Sequence, residues 1–422
     1  MMDQIKIDFN KVIEPLKLSK ENLDLRKKNL NEFINVGFPN KKLEEWKFSD
    51  LNQIISSNIK NLKFFDKELV YKKSIDPILI DQLLQKHFEH NKIIVVNGIV
   101  DTINFENEDI KKIKIIDKIE NQSLNVKNSL VSLNNAFISN YLKIIIKENY
   151  ALNKPLIIYN ITDKKISSTN INQRLDIVLE NNSKLNLINL LTDYSDNNFI
   201  NINHQFKVGK DAILKNYKID GKQNSNIKYF YNEIDLDQNS LVENFVLSSG
   251  SKFIKNEIIC NLKGKYSSAF INGIINLNKS QQHEIKTNIN HLAENTKSYQ
   301  LIKSVLNESS KGIFQGKIFV DSKAQKTNGY QLSKALLLNE NTEFDGKPEL
   351  EIYADDVKCS HGSTSGSIDE NSLHYLMTRG LSKEDSIKLL IKGFLNDVLE
   401  FIKSPSIKKF VETKLEEQVN GY

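Results

Sequence analysis

The sequence predicts a mainly β protein whose core is a parallel β-helix, or β-solenoid, flanked by helical regions at both ends. Three observations carry that prediction. From about Tyr141 to Tyr353, short runs of Ile, Leu, Val, Phe and Tyr alternate with polar residues and break at Asn, Asp, Ser, Gly or Lys, without a helix-length period. The middles of these runs recur roughly every fourteen residues, the regularity of stacked coils rather than of varied Greek-key loops. Helical spacing of apolar residues is confined to the two ends of the chain. A pair of β-sandwiches is the competing architecture, since evenly spaced strands with turn signals also suit it.

Taken in order, the elements fit this reading. Glu21 to Val36 sets Leu23, Leu30, Phe33 and Ile34 among charged residues at helical spacing, and Gly37, Phe38 and Pro39 then stop the helix. The run from Lys41 to Asp50 carries the only tryptophan, and Trp46 and Phe48 read as core anchors. Lys92 to Val100 reads as a strand with Asn97-Gly98 as a turn signal. The solenoid runs begin with Leu142 to Ile146 and Leu156 to Tyr159 and end with Tyr299 to Leu306 and Ile313 to Val320. After His361 the pattern turns helical. Asp369 or Glu370 opens a short helix that Gly380 ends, and Ser382, with Asp385 three residues on, caps a longer one bearing Ile387, Ile391, Leu395, Val398 and Ile402. Pro405 separates this from a last amphipathic segment bearing Ile407, Phe410, Val411 and Leu415. The expected domains are an N-terminal helical and mixed region over 1–140, a β-helix core over 141–362 and a C-terminal helical domain over 363–422.

Composition narrows the function classes. The 422 residues, 39% apolar and 26% charged, describe a folded, water-soluble protein able to bury a large core. No apolar run approaches the roughly 18 residues a membrane helix needs, and Met1 to Asn10 has no apolar signal core, so a cytoplasmic protein that is not membrane-embedded is expected. The net charge of +5 comes from dispersed lysines largely matched by acids, which argues against nucleic acid as a partner. There is no phosphate-binding glycine loop, dinucleotide fingerprint, Gly-x-Ser-x-Gly elbow or His-Glu-x-x-His, so neither ATP binding nor ester hydrolysis is expected of this chain alone.

Cys260 and Cys359 are the only cysteines; they read as free thiols, and Cys260, inside the apolar run Ile258 to Leu262, as structural. His87 and His90 read as surface residues sharing a helical face. His283, Glu284 and His291 fall in one strand region, where the histidines read as satisfied or exposed. The chemical handle is Tyr353 to Gly362. Cys359 and His361, two apart in an extended segment, present a thiol and an imidazole on one face. Lys358 is expected to lower the thiol pKa, and a thiolate with an imidazole can ligate soft or borderline metals. Iron–sulfur clusters usually take four ligands, so a cluster at this pair needs ligands from a second chain. A carbohydrate-acting solenoid hydrolase or lyase using Asp355 and Asp356 is the alternative, although no full acid–base set can be picked out.

The run Pro348-Glu-Leu-Glu-Ile-Tyr-Ala-Asp-Asp-Val-Lys-Cys-Ser-His-Gly-Ser-Thr-Ser-Gly366, with Leu376-Met-Thr-Arg-Gly-Leu381, resembles the SufD branch of the SufB/SufD family of the SufBCD iron–sulfur cluster assembly complex. Gly312-Ile-Phe-Gln-Gly-Lys-Ile318, Ala324 to Thr327 with Gln331, Leu336 to Leu338 and Leu43 to Leu51 add to the likeness, which spans nearly the whole chain. The SufB branch typically has more cysteines and lacks Lys-Cys-Ser-His-Gly. Two positions depart from the pattern: His374 stands where an aromatic residue is common, and Ser363 where alanine is.

The resemblance implies a right-handed parallel β-helix between helical regions and a non-catalytic scaffold role. It implies that Cys359 and His361 contribute to a transient iron–sulfur cluster shared with a SufB-like partner met through the β-helix. It also implies that the C-terminal helices, Ser382 to Lys403 and neighbours, dock a SufC-like ATPase that alone binds ATP. Reduced flavin is associated with such complexes, but no flavin residues can be mapped here.

Overall fold

Every run expected between Leu142 and Val320 forms a strand, and each pairs in parallel with the second strand along the chain rather than the next. The computed structural model describes residues 2–70, 84–86, 88–117 and 127–419. Its strands are β1 (Asn91–Val96), β2 (Ile99–Asn104), β3 (Ile113–Ile116), β4 (Tyr141–Ile146), β5 (Leu156–Thr162), β6 (Asn170–Leu179), β7 (Lys184–Asp193), β8 (Phe199–Val208), β9 (Ile213–Asp220), β10 (Ile227–Leu236), β11 (Leu241–Ser248), β12 (Phe253–Leu262), β13 (Ser268–Leu277), β14 (Gln282–His291), β15 (Lys297–Leu306), β16 (Lys311–Val320), β17 (Thr327–Leu337), β18 (Glu343–Ile352) and β19 (Val357–Ser367).

Odd-numbered strands from β5 to β19, with β1 and β2, make a ten-stranded sheet; even-numbered strands from β4 to β18, with β3, make a nine-stranded one. Phe253 pairs with Gln282 and Gln282 with Lys311, so a turn there takes 29 residues, two of the fourteen-residue spacings. Alternate-strand parallel pairing is a solenoid of about eight turns and excludes the sandwich pair.

The corners explain the recurring polar breaks. Asn182, Asp211, Asn239, Tyr266, Asn295 and Lys326 each adopt a φ between 55° and 65°, a left-handed conformation most favourable for Asn and Asp. Each then donates its N–H to a carbonyl in the next turn's corner, as Asp211 does to Gln238 and Asn295 to Gln325. The corners thus stack as the strands do, and their amides are paired.

Strands buried on both faces read as nearly continuous apolar runs. Inside, Ile177, Phe206, Ile234, Cys260, Ile289 and their neighbours form one core between the sheets. Outside, the nine-stranded sheet is covered by α1 (Met2–Ile13), α2 (Lys20–Val36), α3 (Leu51–Asn58) and α4 (Ser129–Phe137), whose Phe9, Phe33 and Phe137 share a cluster with Phe199, Tyr229 and Phe253. Trp46 is buried as expected, 5.8 Å from the Tyr229 ring, with the Lys255 ammonium 4.3 Å above it. Buried Lys255 also donates to Glu284 at 2.5 Å, and Glu284 accepts from Ser49 and Gln315. This network fastens the Trp46 segment to the solenoid wall.

The ten-stranded sheet is covered by α6 (Lys383–Leu399) and α7 (Pro405–Val419), through Ile391, Leu395, Val398, Phe410 and Val411. Lys303 on β15 reinforces this, donating to Phe394 O at 2.5 Å and Asp397 at 2.7 Å. The Ser382 cap forms as expected, its hydroxyl accepting from the Asp385 N–H at 3.0 Å. Between the solenoid and α6 lies α5 (Glu370–Thr378), which buries no residue. Among the described residues no helix is long and apolar enough to cross a membrane.

The interior also holds charge. Lys228 lies fully buried between Asp193 and Asp220, 2.6 Å from each. Burial alone would lower its pKa; the two carboxylates overcome that and raise it. Burial pushes the Asp220 carboxyl up to about 6, the charge of Asp193 adding to it against the pull of Lys228.

The histidines are satisfied rather than exposed. His283 lies between Ser248 Oγ and Ser251 O, and His291 between the hydroxyls of Thr296 and Ser298. Burial pushes them down to about 3 and about 4, so both are neutral. His90 corrects the surface expectation: it lies on no helix and is half-buried, with Nε2 2.8 Å from Tyr159 Oη, because it is the last residue before β1 joins the sheet beside β5. His87 lies outside the described residues.

Candidate functional site

Cys359 and His361 stand on β19, the last strand of the ten-stranded sheet, with no strand beyond it among the described residues. Parallel pairing with β17 is in register, so Gly329, Gln331 and Ser333 lie directly beneath Cys359, His361 and Ser363, about 4.8 Å below. The two side chains share a face, as the spacing predicts, and it is the inner one. A Cβ built on Gly329 would stand 3.4 Å from Cys359 Sγ, 3.5 Å from His291 Nε2 and 3.3 Å from Ile318 Cγ2. The missing side chain therefore leaves the thiol and an interior imidazole flanking one small space. Ser363 makes a hydrogen bond of 2.9 Å with Ser333 one rung below, which an alanine there could not.

Cys359 is half-buried against Ile318, Val320, Ala324 and Ala354, whereas His361 is exposed at the rim. Burial raises the Cys359 pKa, and a hydrogen bond from the Gly329 N–H only partly offsets it. The lowering expected from Lys358 does not occur. As the preceding residue of a strand, Lys358 projects from the opposite face, where it lines a surface groove with Phe270, Tyr299 and Tyr330. Cys260 is fully buried in the core, and burial pushes its thiol far up, in keeping with a structural role.

Asp355 and Asp356 occupy an exposed corner, where the Asp355 carbonyl accepts from Val357 N and the Asp356 carbonyl from Lys326 N. They do not join the Cys–His pair: among the described residues no three His, Cys, Asp or Glu side chains are grouped to hold a metal. On its own the chain brings two donors to the rim.

Two surfaces were not visible in the sequence. On the last turn, β18 and β19 are largely exposed where earlier strands are buried, and Tyr353 is 62% exposed beside Ile352. On the C-terminal helices, Tyr375, Met377, Leu381 and Leu389 are exposed together along α5 and the start of α6. An apolar residue at helical spacing signals burial, and sequence does not say whether this chain or another supplies the cover.

Comparison with known proteins points to a single family. A family model described as the SufBD core domain of SUF-system FeS cluster assembly matches residues 159–394. The iron–sulfur cluster assembly protein SufD of Escherichia coli K12 is 23% identical, covering 93% of this chain and 92% of its own. SufD of Bacillus subtilis is 31% identical across 33% of this chain and 32% of its own, and SufB of that organism 23% identical across 91% and 87%. With the family model matching more than half of its length, this chain belongs to the SufB/SufD family of iron–sulfur cluster assembly proteins.

Proposed function

We propose that the protein is a SufD-type scaffold subunit that supplies Cys359 and His361 to a nascent iron–sulfur cluster at its interface with a SufB-like paralogue. The observation that carries this reading is the unfinished last turn. Two donors share the inner face of a strand whose outer edge is unpaired among the described residues, beside exposed Ile352 and Tyr353. An open strand edge is a template for another chain's strand, and a cluster needs more ligands than this chain carries. The cluster is cargo passed on, and the chain itself carries out no catalysis.

The C-terminal surface supports docking of a SufC-like ATPase, which alone would bind ATP. The second half of α6 is used up against the solenoid, which leaves α5 and the first turns of α6 as the free apolar face. Both parts are tested by co-expressing the chain with SufB-like and SufC-like partners. His361→Ala is expected to lower cluster yield in an intact complex, and unchanged yield refutes the assignment. Tyr375→Glu with Leu389→Glu is expected to release the ATPase and retain the paralogue; an ATPase that still co-purifies at wild-type ratio refutes the docking surface.

A further inference from the structure

Beneath His361 the inner face changes character. The column running inward from it is Gln331, Gln300 and then Ile271, one residue per rung. Both glutamines are at most 2% exposed, and each keeps one amide atom without a partner: Oε1 of Gln331 and Nε2 of Gln300. Gln300 Oε1 is engaged, accepting from the Thr287 hydroxyl at 2.6 Å. The Gln331 amide nitrogen makes two long bonds of 3.4 Å, to the carbonyls of Gly316 and Glu349. Those two acceptors fix the orientation of the amide, since a flipped group would face oxygen with oxygen.

The free atom is therefore an acceptor, carried by the residue one rung below His361 and turned toward Gly316 on β16. Gly316 is required for this arrangement: a Cβ there would collide with Gln331 Oε1 and the Phe314 ring. Leaving a buried carbonyl unpaired costs about 1–3 kcal/mol, and such an atom calls for an explanation.

Histidines that ligate metals almost always donate their other ring N–H to a carbonyl or carboxylate, which fixes the tautomer and ring orientation. We infer that Gln331 is a positioning residue for His361, its free carbonyl oxygen receiving the ring N–H when the other nitrogen takes up iron. This rests on the scaffold role proposed above and adds a residue to it. Gln300, held by the Thr287 hydroxyl, occupies the rung below. No bond to the cluster is made by Gln331 itself.

The test uses the complete complex at limiting iron. Gln331→Met, which keeps the length and removes the amide, is expected to lower cluster loading roughly tenfold, the lower end of the usual cost of losing such a partner. Gln331→Glu, whose carboxyl when protonated keeps an acceptor and a donor toward the carbonyls of Gly316 and Glu349, is expected to restore loading. In a His361→Cys background a thiolate has no tautomer to choose, so Gln331→Met should cost nothing further. Pulsed electron paramagnetic resonance of the reduced cluster should show the coupling of the remote His361 ring nitrogen change in the Met variant and return in the Glu variant. Should the Met variant fold poorly, Gln331→Asn keeps an amide but shortens its reach and serves the same comparison.

Wild-type loading by Gln331→Met while His361→Ala fails to load overturns the inference, as does an equal loss in the His361→Cys background. Failure of the scaffold role itself shows separately, as normal loading by His361→Ala.

Discussion

Asp220→Asn should stabilise the protein near neutral pH and do progressively less in acid. The folded carboxyl titrates at about 6 because it is buried, whereas an unfolded aspartate titrates near 3.9. A gap of about two units at 1.36 kcal/mol each makes the charged form cost roughly 3 kcal/mol in the folded state. The folded state holds this proton more tightly than the unfolded chain. The contribution of Asp220 is therefore most favourable below about pH 3.9 and is lost as pH rises through about 6. Asparagine resembles the protonated acid and can still accept from Lys228, which keeps Asp193 as its counter-ion at 2.6 Å. The variant should exceed the wild type by about 1 kcal/mol at pH 4.5 and about 3 kcal/mol at pH 7.5. Urea unfolding followed by the fluorescence of Trp46, the single tryptophan, reads this directly. With an m-value of at least about 3 kcal/mol/M for a chain of this size, the midpoint shift at pH 7.5 is at most about 1 M. Because the two proteins differ at one group, titrations of groups that Asp220 does not touch cancel, and what remains is Asp220 with its coupling to Lys228 and Asp193. A difference that is the same at both pH values, or a variant less stable at pH 7.5, refutes the argument.

Two further outcomes are expected. Glu284→Ala strands the buried Lys255 ammonium and should cost about 3–5 kcal/mol, with red-shifted Trp46 emission as its segment loosens, whereas Glu284→Gln keeps an acceptor and loses less; unchanged emission and midpoint in the Ala variant count against the network. In native protein, iodoacetamide should modify Cys359 alone, at a rate still climbing above pH 8.5 because burial raises that thiol, and should reach Cys260 only on unfolding. A rate that levels off below pH 8 contradicts the half-buried placement.

The solenoid was legible wherever its strands are buried on both faces. Phe253 to Leu262 and Tyr299 to Leu306 read as strands because nearly every position packs against something, and the asparagines between them mark corners. The pattern fades where burial does. Glu343 to Ile352 forms a full strand but was not separable as such, since the last turn is exposed and its side chains carry little apolar signal; Thr327 to Leu337 was missed because its buried inward positions are Thr327, Gly329, Gln331 and Ser333 rather than large apolar residues. Interior charge also hides: Asp193, Asp220 and Lys228 sit at core positions and find one another only across turns. At the candidate site the shared face of Cys359 and His361 followed from strand geometry alone. The environment of the thiol did not, because Lys358 is adjacent in sequence and on the far side in space. Gln331 was visible as part of a family likeness, but its place under His361 depends on register 30 residues away.

Turn length is not constant in this solenoid: 26 residues separate Ile227 from its partner Phe253, and 32 separate Lys311 from Glu343. Insertions and deletions are thus absorbed at corners, where strands can re-enter register, and are excluded from strands, where one residue would turn every following side chain to the other face. On the proposed role of Cys359 and His361, the identity of the last turn matters more than the number of turns before it. Adding a turn beyond β19 would seal Cys359 and His361 inside, and trimming one would bring Gly329, Gln331 and Ser333 to the rim, with no thiol or imidazole among them.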